Sequence, residues 1–240
     1  MFKKFNSRAL DEEEIIDDFT LSGPAIEDTF DSIEKVNIWL GGNQVLRRSF
    51  QKILKSPAFQ NLANPIKVYD LGCGIGDGLV ALAKWTRKQK IATEYQGLDA
   101  NPYVIDLARS KTKGFPEIQF QVKDIFGSDY SLEGVDIVTF NLCLHHFQPK
   151  EILELLERCK TKKIKAVLIN DLHRHWLAYY LFEIVCLVFR SPQIARLDGL
   201  LSIRKGFKRA EFSALAEQVD AKSFSLQWKW AFRYQFILYF

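Results

Sequence analysis

Three alternating glycines behind an acid, Asp70-Leu-Gly72-Cys-Gly74-Ile-Gly76, are the residues of this 240-residue sequence best suited to do chemistry. Alternate glycines let a backbone turn sharply and approach a ligand that any Cβ would hold away. A short apolar run leads into them and a helical pattern begins at about Leu79, so the loop joins a strand to a helix and brings free N–H groups to a ligand. Acids recur downstream. Glu94-Tyr-Gln-Gly-Leu-Asp99 reads as a second strand with a carboxylate at its tip, where it can accept two hydroxyl protons of a ribose. Ile118–Val122 alternates in strand fashion and leads to Asp124-Ile125, and Val135–Phe140 leads to Asn141-Leu-Cys-Leu-His-His-Phe147. All four histidines, His145, His146, His173 and His175, follow the fourth and fifth strands. An imidazole can take a proton from a substrate hydroxyl near neutral pH. His146 and His173 are the candidate bases, against the plain alternative of one packed and one solvated ring. The spacings match no zinc signature, so no metal is expected.

The elements that must position these residues follow from the pattern. Strands at about 66–70, 94–98, 118–122, 135–140 and 165–170 alternate with helical stretches at 79–89, 101–111 and 149–160. Such alternation predicts an α/β fold, a parallel sheet with helices on both faces. Ligands of such sheets lie beyond the carboxyl ends of the strands, so the glycine loop, Asp99, Asp124 and Asn141 should face one crevice. Residues 29–55 are helical in pattern, with a break at Gly41-Gly42. Val36, Trp39 and Leu40 form an ordinary packing face there, or Trp39, Asn37 or Arg47 reaches a ligand across the crevice.

The order Asp-x-Gly-x-Gly-x-Gly differs from the dinucleotide fingerprint, whose third glycine comes one residue later. It resembles the first motif of the class I S-adenosylmethionine-dependent methyltransferases, and the four segments together extend that resemblance over about residues 66–172. The resemblance implies a doubly wound, seven-stranded, mostly parallel Rossmann-like sheet closed by an antiparallel hairpin, here Ser223–Phe240 with a break near Trp230-Ala231. It implies that Asp70, Gly72, Gly74 and Gly76 hold the methionine portion of S-adenosylmethionine and Asp99 the ribose, with Ala100 also at the cofactor. Asp124 and Ile125 would face the adenine, and the Asn141-Leu142 backbone the sulfonium. A looser similarity, resting on residues 170–206 and the stretch Asn170-Asp-Leu-His-Arg-His175, points to bacterial methyltransferases acting on polyketide-like or phenolic lipid products. It implies a small hydrophobic or amphiphilic acceptor, and oxygen is the expected methylated atom. Two other classes stay open: a non-catalytic module that kept the cofactor pocket, and a nicotinamide-dependent oxidoreductase, disfavoured by the third glycine and Asp124.

Composition sets the frame. Nearly half the side chains are apolar, enough for one substantial core, and one domain over 1–240 is expected with an N-terminal helical arm at 1–62 and a substrate cap inserted at 173–206. A connection that long at the ligand edge is more often a lid than idle loop. Met1-Phe-Lys-Lys-Phe-Asn lacks the apolar run of a secretory signal, and Cys73, Cys143, Cys159 and Cys186 form no Cys-x-x-Cys pair. Both features suggest a reducing, cytoplasmic compartment. Residues 161–240 carry 13 Lys and Arg against 6 Asp and Glu, and the remainder of the chain is slightly acidic. That excess is either a solvated face or an attraction for an acidic partner: an anionic lipid surface, an acyl carrier protein or a charged substrate. No nucleic-acid module is recognisable. Trp176–Phe189, apolar but for Glu183 and flanked by Arg174 and Arg190, reads as a core helix, a cap or a peripheral membrane contact.

Overall fold

The computed structural model describes residues 2–60 and 65–240, with side chains from Lys4 onward. The expected end of the N-terminal arm at residue 62 lies outside the described residues. Seven strands form one sheet: β1 (Ile66–Leu71), β2 (Thr93–Asp99), β3 (Ile118–Val122), β4 (Ile137–Asn141), β5 (Ala166–Leu172), β6 (Ser223–Lys229) and β7 (Arg233–Tyr239). Their order is β3-β2-β1-β4-β5-β7-β6, with β7 antiparallel to both of its neighbours and every other pairing parallel. The central strands read as continuous apolar runs because both faces are covered. Val138, Phe140, Val167 and Ile169 bury on one face, and Val68, Ile137, Leu168 and Ile237 on the other.

The helices sort onto those two faces. On one side lie α2 (Gly42–Leu54), α3 (Asp77–Gln89) and α4 (Pro102–Lys111), which contribute Phe50, Leu82 and Ile105. On the other lie α5 (Pro149–Thr161) and α8 (Arg209–Gln218), which contribute Leu156 and Phe212. The expected break at Gly41-Gly42 separates α2 from α1 (Pro24–Trp39), with Gly41 in the left-handed region at φ 76°. The order puts β1 and β4 side by side at the centre, so their carboxyl ends open onto one crevice where the strand order reverses.

The excursion after β5 folds as α6 (Trp176–Phe189) and α7 (Gln193–Lys205). Only Ala178 and Cys186 of α6 are buried, whereas Leu181, Ile184, Leu187 and Val188 are exposed, so α6 is not a core helix. Its end packs edge-on against α1 through Phe189 and Trp39, with ring centres 5.2 Å apart. Four basic residues of this region are paired inside the molecule. Arg174 pairs with Glu211, Arg196 with Glu183, Arg204 with Glu12, and Lys205 with Glu14 and Asp17. No helix among the described residues is long and apolar enough to cross a membrane.

Candidate active site

The loop after β1 owes its shape to three glycines with positive φ: Gly72 at 73°, Gly74 at 52° and Gly76 at 77°. Gly72 has no alternative, since a Cβ there would fall on Cys143 Sγ. Its N–H and that of Cys73 both donate to the carbonyl of Leu98, at 2.8 and 3.0 Å, which ties the loop to the tip of β2. The next N–H, from Gly74, donates to Asp99 Oδ2 at 2.9 Å, and Asn101 N–H donates to Asp99 Oδ1 at 3.1 Å. Each oxygen of Asp99 therefore keeps a second lone pair for a ligand hydroxyl. Burial raises the Asp99 carboxyl above its ordinary range, against the pull of those backbone donors.

A cleft of about 1090 Å³ opens beyond these strand ends. Gly72, Gly74, Asp99, Ala100, Asp124, Ile125, Asn141 and Leu142 all line it, so most of the residues singled out from the sequence share one wall. Leu142 holds φ at 57°, a conformation rare for a branched side chain, and its N–H donates to Asn170 O at 2.8 Å. Asp124 closes a short turn by accepting from Phe126 N–H at 2.9 Å.

Asp70 and Gly76 do not line the cleft. Asp70 is only 2% exposed and accepts the Thr139 hydroxyl at 2.6 Å behind the loop, so it supports the loop from behind. Burial pushes its carboxyl up to about 8, partly opposed by Thr139 and reinforced by Asp77 and Asp99. Gly76 caps α3, and a side chain there would strike the ring of Phe120.

The two candidate bases part company. His146 is in the cleft wall, with Nδ1 in ion-pair contact with Asp17 Oδ1 at 2.7 Å and with Glu14 Oε1 at 3.7 Å. Burial works against a charged ring, but Glu14 and Asp17 outweigh it and hold His146 above the ordinary imidazole value. His173 is outside the cleft. The end of β5 pairs with antiparallel β7, whose aromatic residues cover it. The His173 ring lies edge-on to Tyr234, and Trp228 Nε1–H donates to its Nδ1 at 3.2 Å. Burial, then the charges of His175, Arg174 and Lys208, lower it to about 4. Of the two candidate bases, His146 lines the cleft and His173 does not. His145 is buried against Asp171, Nδ1 to Oδ1 2.7 Å, as a packed ring.

The opposite wall was not anticipated. Residues of the 10–21 stretch, among them Leu10, Glu14, Ile15, Asp17 and Phe19, line the cleft with Asn37 of α1. From the excursion at 173–206, only Lys205 reaches it. The stretch is held from afar: Ile15 and Ile16 N–H donate to the carboxylate of Asp198 on α7 at 2.9 and 3.0 Å, and Ser202 Oγ donates to Glu14 Oε2 at 2.6 Å. Arg8 donates to the carbonyls of Lys205 and His145 at 2.7 and 2.8 Å. The only sequence signal was the acidic run Asp11–Glu14 with Asp17-Asp18, which resembles a solvated face. Of the alternatives for α1, Asn37 meets the cleft, whereas Trp39 is exposed and Arg47 is not in the wall. Glu14, His145 and His146 bring ligating atoms within 4.8 Å of one another, but Lys205 Nζ, 3.4 Å from Glu14 Oε1, already supplies a cation there.

These residues fit a cationic nucleoside: a glycine loop without Cβ atoms, a strand-tip carboxylate with free lone pairs, and a wall dominated by carboxylates. Comparison with known proteins agrees with the geometry. Residues 68–162 match a family model described as a methyltransferase domain. Over 107 residues, 44% of this chain, the sequence is 28% identical to a carboxy-S-adenosyl-L-methionine synthase of a Nitratiruptor species; the match spans 43% of that enzyme's length. Among solved structures, the plantazolicin methyltransferase BpumL in complex with SAH superposes with a TM-score of 0.63 at 14% identity, covering 87% of this chain and 89% of that one. A putative O-methyltransferase of Nostoc punctiforme gives 0.60 at 17%, covering 86% and 58%. The methyltransferase domain of the citrinin polyketide synthase gives 0.59 at 14%, covering 82% and 52%. At these identities the likeness is one of fold.

Proposed function

The chain carries a methyltransferase domain of the class I S-adenosylmethionine-dependent family, and from that premise we propose that it methylates a small hydrophobic or amphiphilic acceptor at oxygen. Bound in the cleft, S-adenosylmethionine supplies a sulfonium-activated methyl group. Asp99 accepts from the ribose hydroxyls, Asp124 and Ile125 flank the adenine, and Gly72, Gly74 and the Asn141-Leu142 backbone border the methionine and sulfur. The observation that carries an oxygen acceptor is His146, in the same wall as Asp99 and backed by Asp17 at 2.7 Å. A carboxylate on Nδ1 makes the ring a stronger base and leaves Nε2 to take a hydroxyl proton. The wall opposite mixes Leu10, Ile15 and Phe19 with carboxylates, which suits an acceptor with an apolar body and a polar reacting end. The cleft, at about 1090 Å³, is slightly larger than the roughly 300–1,000 Å³ of ordinary ligand sites, which leaves room for an acceptor beside the cofactor.

Calorimetry tests the cofactor assignment. Asp99→Ala removes a charged acceptor of two hydrogen bonds and should weaken S-adenosylmethionine binding by about 2–4 kcal/mol. Unchanged affinity, or preference for a nicotinamide dinucleotide, would sink it. Incubation with methyl-labelled cofactor and extracts of phenolic and lipid compounds, read by mass spectrometry, tests the acceptor class; label confined to nitrogen or carbon would refute the oxygen assignment.

A further inference from the structure

Arg233, the first residue of β7, is 3% exposed, and its Nε and Nη1 have no hydrogen-bond partner. Among the described residues no carboxylate lies within ion-pair distance of it, and Asp171 and Asp77 act on it only through longer-range attraction. This is a costly state. A buried guanidinium loses several kcal/mol of hydration, and water can satisfy its N–H groups but not its charge.

Arg233 stands behind the cleft lining, on a strip that leads to the lining residues Asn141 and Asn37. Register pairs Arg233 with Leu172 and, two residues on, Gln235 with Asn170, so Arg233, Gln235 and Asn170 share one face of the sheet. Asn170 Nδ2 donates to Asn141 Oδ1 at 2.7 Å, which connects that strip to the cleft wall. Asn170 and Asn37 are held by the bonds their amide nitrogens donate to Asn141 and Asp77, but Gln235 Oε1 is buried without a partner, and that amide can turn to present N–H instead. The other side is the N-terminus of α2, thirteen residues long and capped by Gly41 with no side-chain hydrogen bond. A side chain on Gly42 would meet Asn37 Oδ1 and, at 2.9 Å, Arg233 Nη1, so the guanidinium abuts both that helix end and a cleft residue. Helix N-termini favour anions. The charged residues that line the cleft are mostly acidic, and Lys205 among them is already paired to Glu14 and Asp17.

Resting on the methyltransferase reading, we propose that Arg233 beneath the α2 N-terminus is a carboxylate-binding residue that anchors the anionic end of a cleft ligand. That carboxylate belongs either to the amino-acid end of the cofactor or to the acceptor, and binding measurements separate the two. SAH carries the amino-acid end and 5′-methylthioadenosine lacks it. If the carboxylate is the cofactor's, Arg233→Met should bind SAH about 10–100-fold more weakly, bind 5′-methylthioadenosine as the wild type does, and be partly rescued by Arg233→Lys. If it is the acceptor's, both nucleosides bind Arg233→Met normally. Sodium acetate should then raise the melting temperature of the SAH-loaded wild type above that in equal sodium chloride, and not that of Arg233→Met. Equal SAH affinity in wild type and Arg233→Met, together with equal melting in acetate and chloride, would overturn the proposal. The Met variant should fold, because it removes an uncompensated charge at similar volume. Should it not, SAH affinity of Arg233→Lys and the acetate melts of the wild type decide, and a null result in both overturns the proposal. Failure of the wild type to bind 5′-methylthioadenosine or SAH would refute the cofactor reading instead, and the acetate response of ligand-free protein would still judge Arg233.

Discussion

The two walls of the cleft are built by opposite means. The glycine-loop wall is local: Gly72, Cys73 and Gly74 bond to Leu98 and Asp99, and the geometry is set by short spacings within the sheet's own βα turns. The N-terminal wall is assembled over long separations, with Ile15 bound to Asp198 and Arg8 to Lys205. The first wall is a rigid seat whose backbone allows little substitution. The second is a strap tied by long-range bonds to Asp198 and Ser202 of α7, to Arg174 and to His146. One suits a fixed cofactor, the other an acceptor that must enter and leave.

His146 is where the walls meet, so it breaks or sharpens the contrast most strongly. His146→Gln should lower turnover by about 10²–10⁴ while SAH affinity is retained. The rate should rise with pH as the ring loses its proton, through an inflection above the ordinary imidazole value because Glu14 and Asp17 favour the charged form. Asp17→Asn should move that inflection down. Near-normal turnover in His146→Gln would mean that positioning alone carries the reaction.

The seat itself has a pH signature in Asp70. Its folded carboxyl titrates near 8 against an ordinary 3.8, so the unfolded chain ionises first. Folding therefore keeps a proton that the unfolded chain has lost, and stability is full below about pH 4 and declines as pH rises towards 8. At 1.36 kcal/mol per unit, the rise from 3.8 to about 8 sets an upper bound of about 6 kcal/mol on the loss. Asp70→Asn can still accept from Thr139 and should show a flatter melting temperature across pH 5–8. Parallel pH profiles for the two proteins would show that Asp70 does not titrate in this range.

The same contrast explains what could be read without the structure. The strands, the break at Gly41-Gly42 and the shared wall of Gly72, Asp99, Ile125 and Asn141 follow from periodicity and from residues close in sequence. Asp70 lay in the same motif, but its direction depends on Thr139 of β4, a partner 69 residues away. His173 followed a strand end as His146 does, and only the antiparallel entry of β7 turns it towards Trp228 and Tyr234. Glu14 and Asp17 were invisible for a related reason. An acid that pairs with a histidine far along the chain is indistinguishable in sequence from one that faces water.

Asp198 separates the two walls with the smallest perturbation. It is buried on α7 and receives both backbone N–H groups of Ile15 and Ile16, while Arg204 and Ser202 hold Glu12 and Glu14 nearby. Asp198→Ala removes two charge-assisted hydrogen bonds and should cost about 1.5–3 kcal/mol of local stability. The loss should appear as faster amide exchange at residues 14–17 with unchanged exchange in β1 and β2, because the glycine-loop wall has no bond to this carboxylate. SAH affinity should fall little. KM for the acceptor should rise, since the strap carries Leu10, Ile15 and Phe19, and the pH inflection should drift down as Asp17 loosens from His146. Uniform acceleration of exchange through the sheet would show that the two walls are one cooperative unit, and the division between seat and strap would not stand.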